Sequence, residues 1–163
     1  MKKIKIQKPT PKTMRPFGTV IGKPQSKPTG HNALLDYWKQ QARFKLPSGA
    51  GEVGYLIARR HPGVYTFLET HLETPEILVP LNCGMNILVA PAATRQTDVP
   101  DIAKAKAFFI RQGQAVMLNK GVWHWLPQPV GKKEAHILVI FSDNTSRNDC
   151  RESILPEPVK IGK

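Results

Sequence analysis

Glu69, His71, Glu76 and His124 are the residues of this chain whose types and spacing could do chemistry. Glu69 and His71 stand two apart in a strand-like run, so their side chains leave the same face, and Glu76 opens the next run after Thr74-Pro75. His124 comes far downstream, just after the turn Asn119-Lys120-Gly121. Two carboxylates and two imidazoles on neighbouring strands suit two kinds of work. They could bind a divalent cation through mixed nitrogen and oxygen ligands, or serve as acid and base without one. His31, His61 and His136 lack such company and read as hydrogen-bonded structural residues.

The elements that must position these groups are short β-rich runs. From about residue 53 the chain reads as strands over 53–58, 64–71, 76–81, 86–90, 107–110, 114–118, 122–126 and 136–141, separated by turn residues. Such a series points to a sandwich, jelly roll or barrel, not to alternating α/β units. Upstream, Phe17-Gly18-Thr19-Val20-Ile21-Gly22 reads as a strand after a short leader, and the Pro/Gly/Lys-rich stretch 23–30 as a loop. Leu34, Leu35, Trp38 and Ala42 recur at three- and four-residue spacing, which predicts a helix over 32–44 capped by Asn32. Residues 101–106 read as a brief helical turn, and 142–163 as an irregular wrap. Alternation along 122–126 predicts that Trp123 and Trp125 face away from His124, into the core or a dimer interface.

With 163 residues, 40% of them apolar and 22% charged, the chain has the size and composition of one folded domain. No apolar run approaches the roughly 18 to 20 residues that cross a bilayer, and the start lacks a signal-like stretch, so the cytoplasm is the natural location. Cys83 and Cys150, far apart and outside any metal-ligand spacing, read there as two free thiols. The net charge of +12 is concentrated at one end: residues 1–47 carry eleven Lys or Arg against Asp36 alone. These cations are scattered among Pro, Thr and Gly, with no basic helix and no interleaved aromatics to stack on bases. They read as solvated surface, with no membrane and no nucleic-acid partner.

Gly113, five residues, Asn119, one residue, Gly121, two residues and His124 resemble the second cupin motif, with Asn119 in place of its proline. The first motif is half present, as Glu69-x-His71-x4-Glu76, with Gly84 one residue later than the motif places its closing glycine. Over most of its length the chain is similar to the ureidoglycolate lyase family, also called ureidoglycolate hydrolase. The matches run in order: Phe17–Ile21, Glu69-Thr70-His71 ahead of Glu76–Leu81, Val122-Trp123-His124, and Asp149–Ile154. Three positions depart from the family pattern: Thr70 stands for an arginine, Glu76 for a glutamine and Trp125 for a second histidine.

The resemblance implies an all-β, cupin-type (RmlC-like) jelly-roll barrel with a short N-terminal helix, one domain over 1–163 with its barrel at about 53–141, assembled as a homodimer. It implies cleavage of ureidoglycolate to glyoxylate and urea, in ureide and allantoin (purine nitrogen) catabolism. Glu69, His71, Glu76 and His124 would be the catalytic residues, with His124 or Glu76 as base and His71 or Glu69 as acid. No organic cofactor is implied. One divalent cation (Zn, Mn, Ni or Fe) would sit on His71, Glu76 and His124, with Glu69 a candidate further ligand, the added charge of Glu76 favouring it. Glu69 could instead orient His71, and Glu76 could pair with an arginine at the barrel mouth. Arg59 and Arg60 are candidates to bind the substrate carboxylate, since a guanidinium pairs with it bidentately. The altered residues leave two other readings open: an enzyme for another small hydroxy or sugar acid, and a ligand-binding cupin without turnover.

Overall fold

The computed structural model describes residues 1–162. In chain order its elements are β1 (Lys2–Gln7), α1 (Pro11–Met14), β2 (Gly18–Ile21), β3 (Gly30–His31), β4 (Asp36–Tyr37), β5 (Gly51–Arg59), β6 (Val64–Thr70), β7 (Glu76–Pro80), β8 (Met85–Ala90), a 3-10 turn (Ile102–Lys104), β9 (Lys106–Ile110), β10 (Ala115–Leu118), β11 (Trp123–His124), β12 (Gln128–Pro129), β13 (Glu134–Ser142), α2 (Thr145–Asn148) and β14 (Arg151–Gly162). A seven-stranded sheet runs β11-β6-β14-β1-β9-β8-β12, and a five-stranded sheet runs β2-β10-β7-β13-β5. Because β11 also pairs with β8, six strands of the larger sheet close into a ring.

Two cores follow from this layout. One fills the space between the sheets, with Ile87, Val89 and Phe108 facing Leu78, Val116 and Ile137. The other fills the ring, around Tyr65, Leu68, Leu88, Trp123 and Val159. Strand β8 divides them: Met85, Ile87 and Val89 enter the first core, Leu88 and Ala90 the second. That is why Met85-Asn86-Ile87-Leu88-Val89-Ala90 is buried throughout, whereas β13, with one covered face, alternates. Each fully buried Leu, Phe or Ile side chain contributes about 1.5–3 kcal/mol; the first cluster holds together the two sheets between which the polar cluster sits, and the second holds the ring.

Several expectations are corrected. Residues 32–44 form no helix. Asn32 Oδ1 accepts the N–H groups of Leu34 and Leu35, which closes a tight turn between β3 and β4, and His31 Nδ1 meets Asp36 Oδ1 at 2.6 Å. The side chain expected to cap a helix makes a hairpin turn instead, and Leu34, at 94% exposed, has no core to face. The N-terminal helix is α1, capped by Thr10, whose hydroxyl accepts the Thr13 N–H.

Neither end of the chain is a leader or an irregular wrap. Strand β1 lies parallel to both β14 and β9, and its alternating Lys-Ile-Lys-Ile buries Ile4. Strand β14 is twelve residues long and pairs with β6 and β1, with a register shift between Ile154 and Val159. Pro156 and Pro158 fall within that shift, where they deprive no ladder of a donor. The barrel therefore draws on both ends of the chain, beyond 53–141; Lys163 lies outside the described residues. The strand expected over 122–126 is reduced to Trp123–His124. No described helix is long and apolar enough to cross a membrane.

Candidate active site

Three chain segments bring the four polar residues together on the inter-sheet side of the larger sheet. In β11, Trp123 pairs with Ala90 and turns into the ring core, so His124, paired with Val89 and Glu69, turns the other way. In β6, Leu68 belongs to the ring core, which sends Glu69 and then His71 toward His124. From the smaller sheet, Glu76 at the start of β7 completes the group. The turn before β11 depends on Gly121: its φ is +80°, and a Cβ there would fall 2.2 Å from the Ala93 carbonyl oxygen. The Gly121 N–H donates to the His71 carbonyl at 2.5 Å, tying together the two loops that carry the imidazoles.

His124 Nε2 lies 2.6 Å from Glu76 Oε2 and 3.6 Å from Glu69 Oε1, and His71 Nε2 lies 3.9 Å from Glu76 Oε2. The side chains of His71, Glu76 and His124 are 4%, 8% and 5% exposed, and that of Glu69 19%. Both imidazoles donate through Nδ1 to backbone carbonyls, His71 to Asp149 at 2.8 Å and His124 to Val122 at 2.9 Å. Both Nε2 atoms are thereby left facing the cluster. The 2.6 Å contact is not a hydrogen bond in direction: His124 Nε2 and Glu76 Oε2 are buried and neither has a hydrogen-bond partner.

Charge follows from this packing. Burial pushes the Glu76 carboxyl up, but the adjacent His124 and then His71 outweigh it and hold the group below its ordinary value. Burial works to lower His124, and the charge of Glu76, with that of Glu69, overrides it and raises the imidazole to about 9. In the metal-free protein the pair is carboxylate and imidazolium at neutral pH.

The donor atoms of Glu69, His71 and His124 all lie within 4.8 Å of one another, and Glu76 Oε2 is closer still to His124. Two Nε2-directed imidazoles and two carboxylates form a set able to hold a divalent metal ion. The unpartnered pair at 2.6 Å fits that use, because atoms converging on a shared cation need not point at each other.

Arg59 and Arg60 are not at this site. Both are exposed, and Arg59 pairs with Glu134, seven residues and about 23 Å of strand from Phe141, whose ring lies 6.1 Å from that of His71. Strand register carries them to the opposite end of the barrel. Thr70 is buried with its hydroxyl unpartnered, and Trp125 lies against Phe67 with ring centroids 4.5 Å apart and planes tilted by 51°, packed on the ring core, so of the three altered positions only Glu76 enters the cluster. Cys83 and Cys150 are free, and Cys150 Sγ donates to Glu69 Oε2 at 3.3 Å. His31 and His136 have polar partners, and His61 Nδ1 accepts the Gly63 N–H. Asp149 and Cys150 touch the site without having been assigned to it from the sequence, where Cys150 read only as a free thiol; their place in the Asp149–Ile154 match was the signal available.

A buried carboxylate–imidazole cluster held between the sheets of a β-barrel, with His124 delivered by the Gly113–His124 segment, defines a cupin-type protein. The chain belongs to the ureidoglycolate lyase family, whose model matches residues 1–162. It is 25% identical over 168 residues to a ureidoglycolate lyase of Chelativorans sp. (strain BNC1), a match covering 99% of this chain and 97% of that one. Among solved structures it is similar to an oxalate decarboxylase of Lactobacillus farciminis in its formate complex (13% identity, TM-score 0.45, 65% of this chain and 27% of that one). It is also similar to RmlC of Streptococcus suis in complex with dTDP-D-xylose (10% identity, TM-score 0.43, 58% and 45%). The chain spans less than half the length of either.

Proposed function

We propose that this protein is a lyase that cleaves ureidoglycolate to glyoxylate and urea. The family match over residues 1–162 supports the substrate. The observation that carries the chemistry is the buried contact of His124 with Glu76, flanked by Glu69 and His71. The reaction breaks the C–N bond of a hemiaminal: the hydroxyl proton leaves as the carbonyl forms, and the departing urea nitrogen gains a proton. Glu76, held ionised, is the base on the β7 side. Glu69, on β6, faces it and supplies the acid, being nearest solvent for exchange of the proton, while His71, just beyond the strand, presents Nε2 to the cluster.

A divalent cation (Zn, Mn, Ni or Fe) would be held by the two imidazoles and one or both carboxylates. When bound it would act as a Lewis acid toward the substrate carboxylate and hydroxyl. Whichever carboxylate is not engaged remains for proton transfer. The exposed stripe Val53, Tyr55 and Ile57 on the edge strand β5 supports a homodimer, which sedimentation of the purified chain tests.

The deciding experiment measures glyoxylate and urea release from racemic ureidoglycolate, with and without added divalent cation, for wild type and His124→Ala. Turnover that is lost in the variant is expected. Absence of turnover in the wild type under both conditions overturns the proposal.

A further inference from the structure

We infer that Asp149 is the positioning residue of this site: it fixes the tautomer of His71 and the span between His71 and Glu76. The chain between these two residues is a loop whose successive N–H groups would otherwise lack acceptors. Asp149 Oδ1 accepts the Leu72 N–H at 2.8 Å, and Oδ2 accepts those of Glu73 at 2.9 Å and Thr74 at 3.0 Å. One carboxylate thus fills a nest of three consecutive amides. The same residue's backbone carbonyl accepts His71 Nδ1–H at 2.8 Å. With Nδ1 committed, only Nε2 is available to the cluster.

The next residue extends the hold, since Cys150 Sγ donates to Glu69 Oε2. The two residues that precede β14 therefore touch His71, Glu69 and the loop leading to Glu76. His124 takes its orientation from a different acceptor, the Val122 carbonyl. A second carboxylate caps a turn in the same manner elsewhere: Asp98 accepts from Thr94 N, Thr94 Oγ1, Arg95 N and Arg95 Nε. No contact of Asp98 reaches the four site residues, so it provides a matched structural control.

This inference rests on the lyase reading only for its activity arm. In Asp149→Asn the side-chain amide cannot accept on its nitrogen, so one side of the nest is lost and the loop shifts. The test records the ring-nitrogen NMR signals of His71 and His124 in the full-length, metal-free chain, alongside turnover of ureidoglycolate by the protein as purified. In the wild type, His71 shows a protonated Nδ1. In Asp149→Asn, His71 moves to a mixture of tautomers, His124 keeps its pattern, and kcat falls about 10- to 100-fold with a smaller change in KM. Asp98→Asn lowers the melting temperature and leaves His71 as it was.

An unprotonated Nδ1 on wild-type His71 overturns the inference without recourse to any variant, so it remains testable if Asp149→Asn does not fold. An unchanged His71 in a folded Asp149→Asn overturns it too, as does a common shift of both histidines, which would mark general loosening. If the wild type shows no turnover, the lyase reading fails and the His71 signals still decide the role of Asp149.

Discussion

At the scale of residues, the pair His124 and Glu76 behaves as a charged unit until a cation takes its place. Its effect on stability has a definite pH window. His124, raised to about 9 from 6.5, stabilises the metal-free fold fully below 6.5 and loses that contribution as pH rises through about 9. Glu76, lowered from 4.5, contributes above 4.5 and loses its share as pH falls through its depressed value. Both contributions are complete only between those two ordinary values. In chelator, the melting temperature of wild type minus that of His124→Gln is therefore expected to be largest near pH 5.5 and to shrink toward pH 9.5. A difference that stays flat across that range would show that the contact is not an ion pair. The two carboxylates are separable by metal stoichiometry. If Glu76 is the cation ligand and Glu69 is not, Glu76→Gln loses the bound cation, while Glu69→Gln retains one cation per chain and loses turnover. The reverse pattern assigns the ligand to Glu69.

At the scale of elements, the Gly113–His124 segment shows what a motif encodes. Both of its glycines have φ of +80°, but a Cβ on Gly113 would meet nothing within 4 Å, whereas one on Gly121 would strike the Ala93 carbonyl. Gly113→Ala should cost about 1–2 kcal/mol, the left-handed penalty alone. Gly121→Ala should cost more than that and displace His124, read as a larger drop in melting temperature and a loss of activity; equal costs would refute the steric account. The same contrast explains what was legible in the sequence. His71 and His124 were visible because a strand alternation and a glycine turn are local, and local geometry dictates which way each side chain points. Arg59 and Arg60 were misplaced because nothing near them records which end of the barrel they occupy; that is set by pairing with Glu134, 75 residues away. Asp149 went without a role because its partners are backbone amides of residues 72–74, and backbone donors leave no mark in a sequence. The helix expected over 32–44 failed for another reason: periodicity forms a helix only where a core receives its apolar face, and Leu34 and Leu35 face solvent.

At the scale of the whole molecule, the two ends of the chain decide whether the larger sheet is a ring. Residues 2–7 fell within what read as a short leader, yet their alternation of lysine and isoleucine is what a strand with one buried face requires. Strand β1 bridges β14 and β9, and both of its pairings are parallel, so no hairpin holds it; the ladder and the ring core do, with Lys2 Nζ donating to the Ile102 carbonyl at 2.6 Å. Removing residues 1–8 would open the six-stranded ring, leave the facing edges of β14 and β9 unpaired, and expose Val159 and Ile161 beside the place of Ile4. The site would be lost with it, because β14 pairs with β6 at Glu152 and Glu69, and Asp149 immediately precedes that strand. The truncated chain is therefore expected to be insoluble, or to melt at least 10 °C lower, a shift that corresponds to a loss on the order of 3 kcal/mol or more in a protein of this size. Conversion of Lys3 and Lys5 to glutamine, which removes their charge and keeps the strand and the Lys2 contact with Ile102, should change the melting temperature little. A truncated chain that melts with the wild type and retains ureidoglycolate turnover would show that β1 is an accessory to the barrel and not a part of its closure.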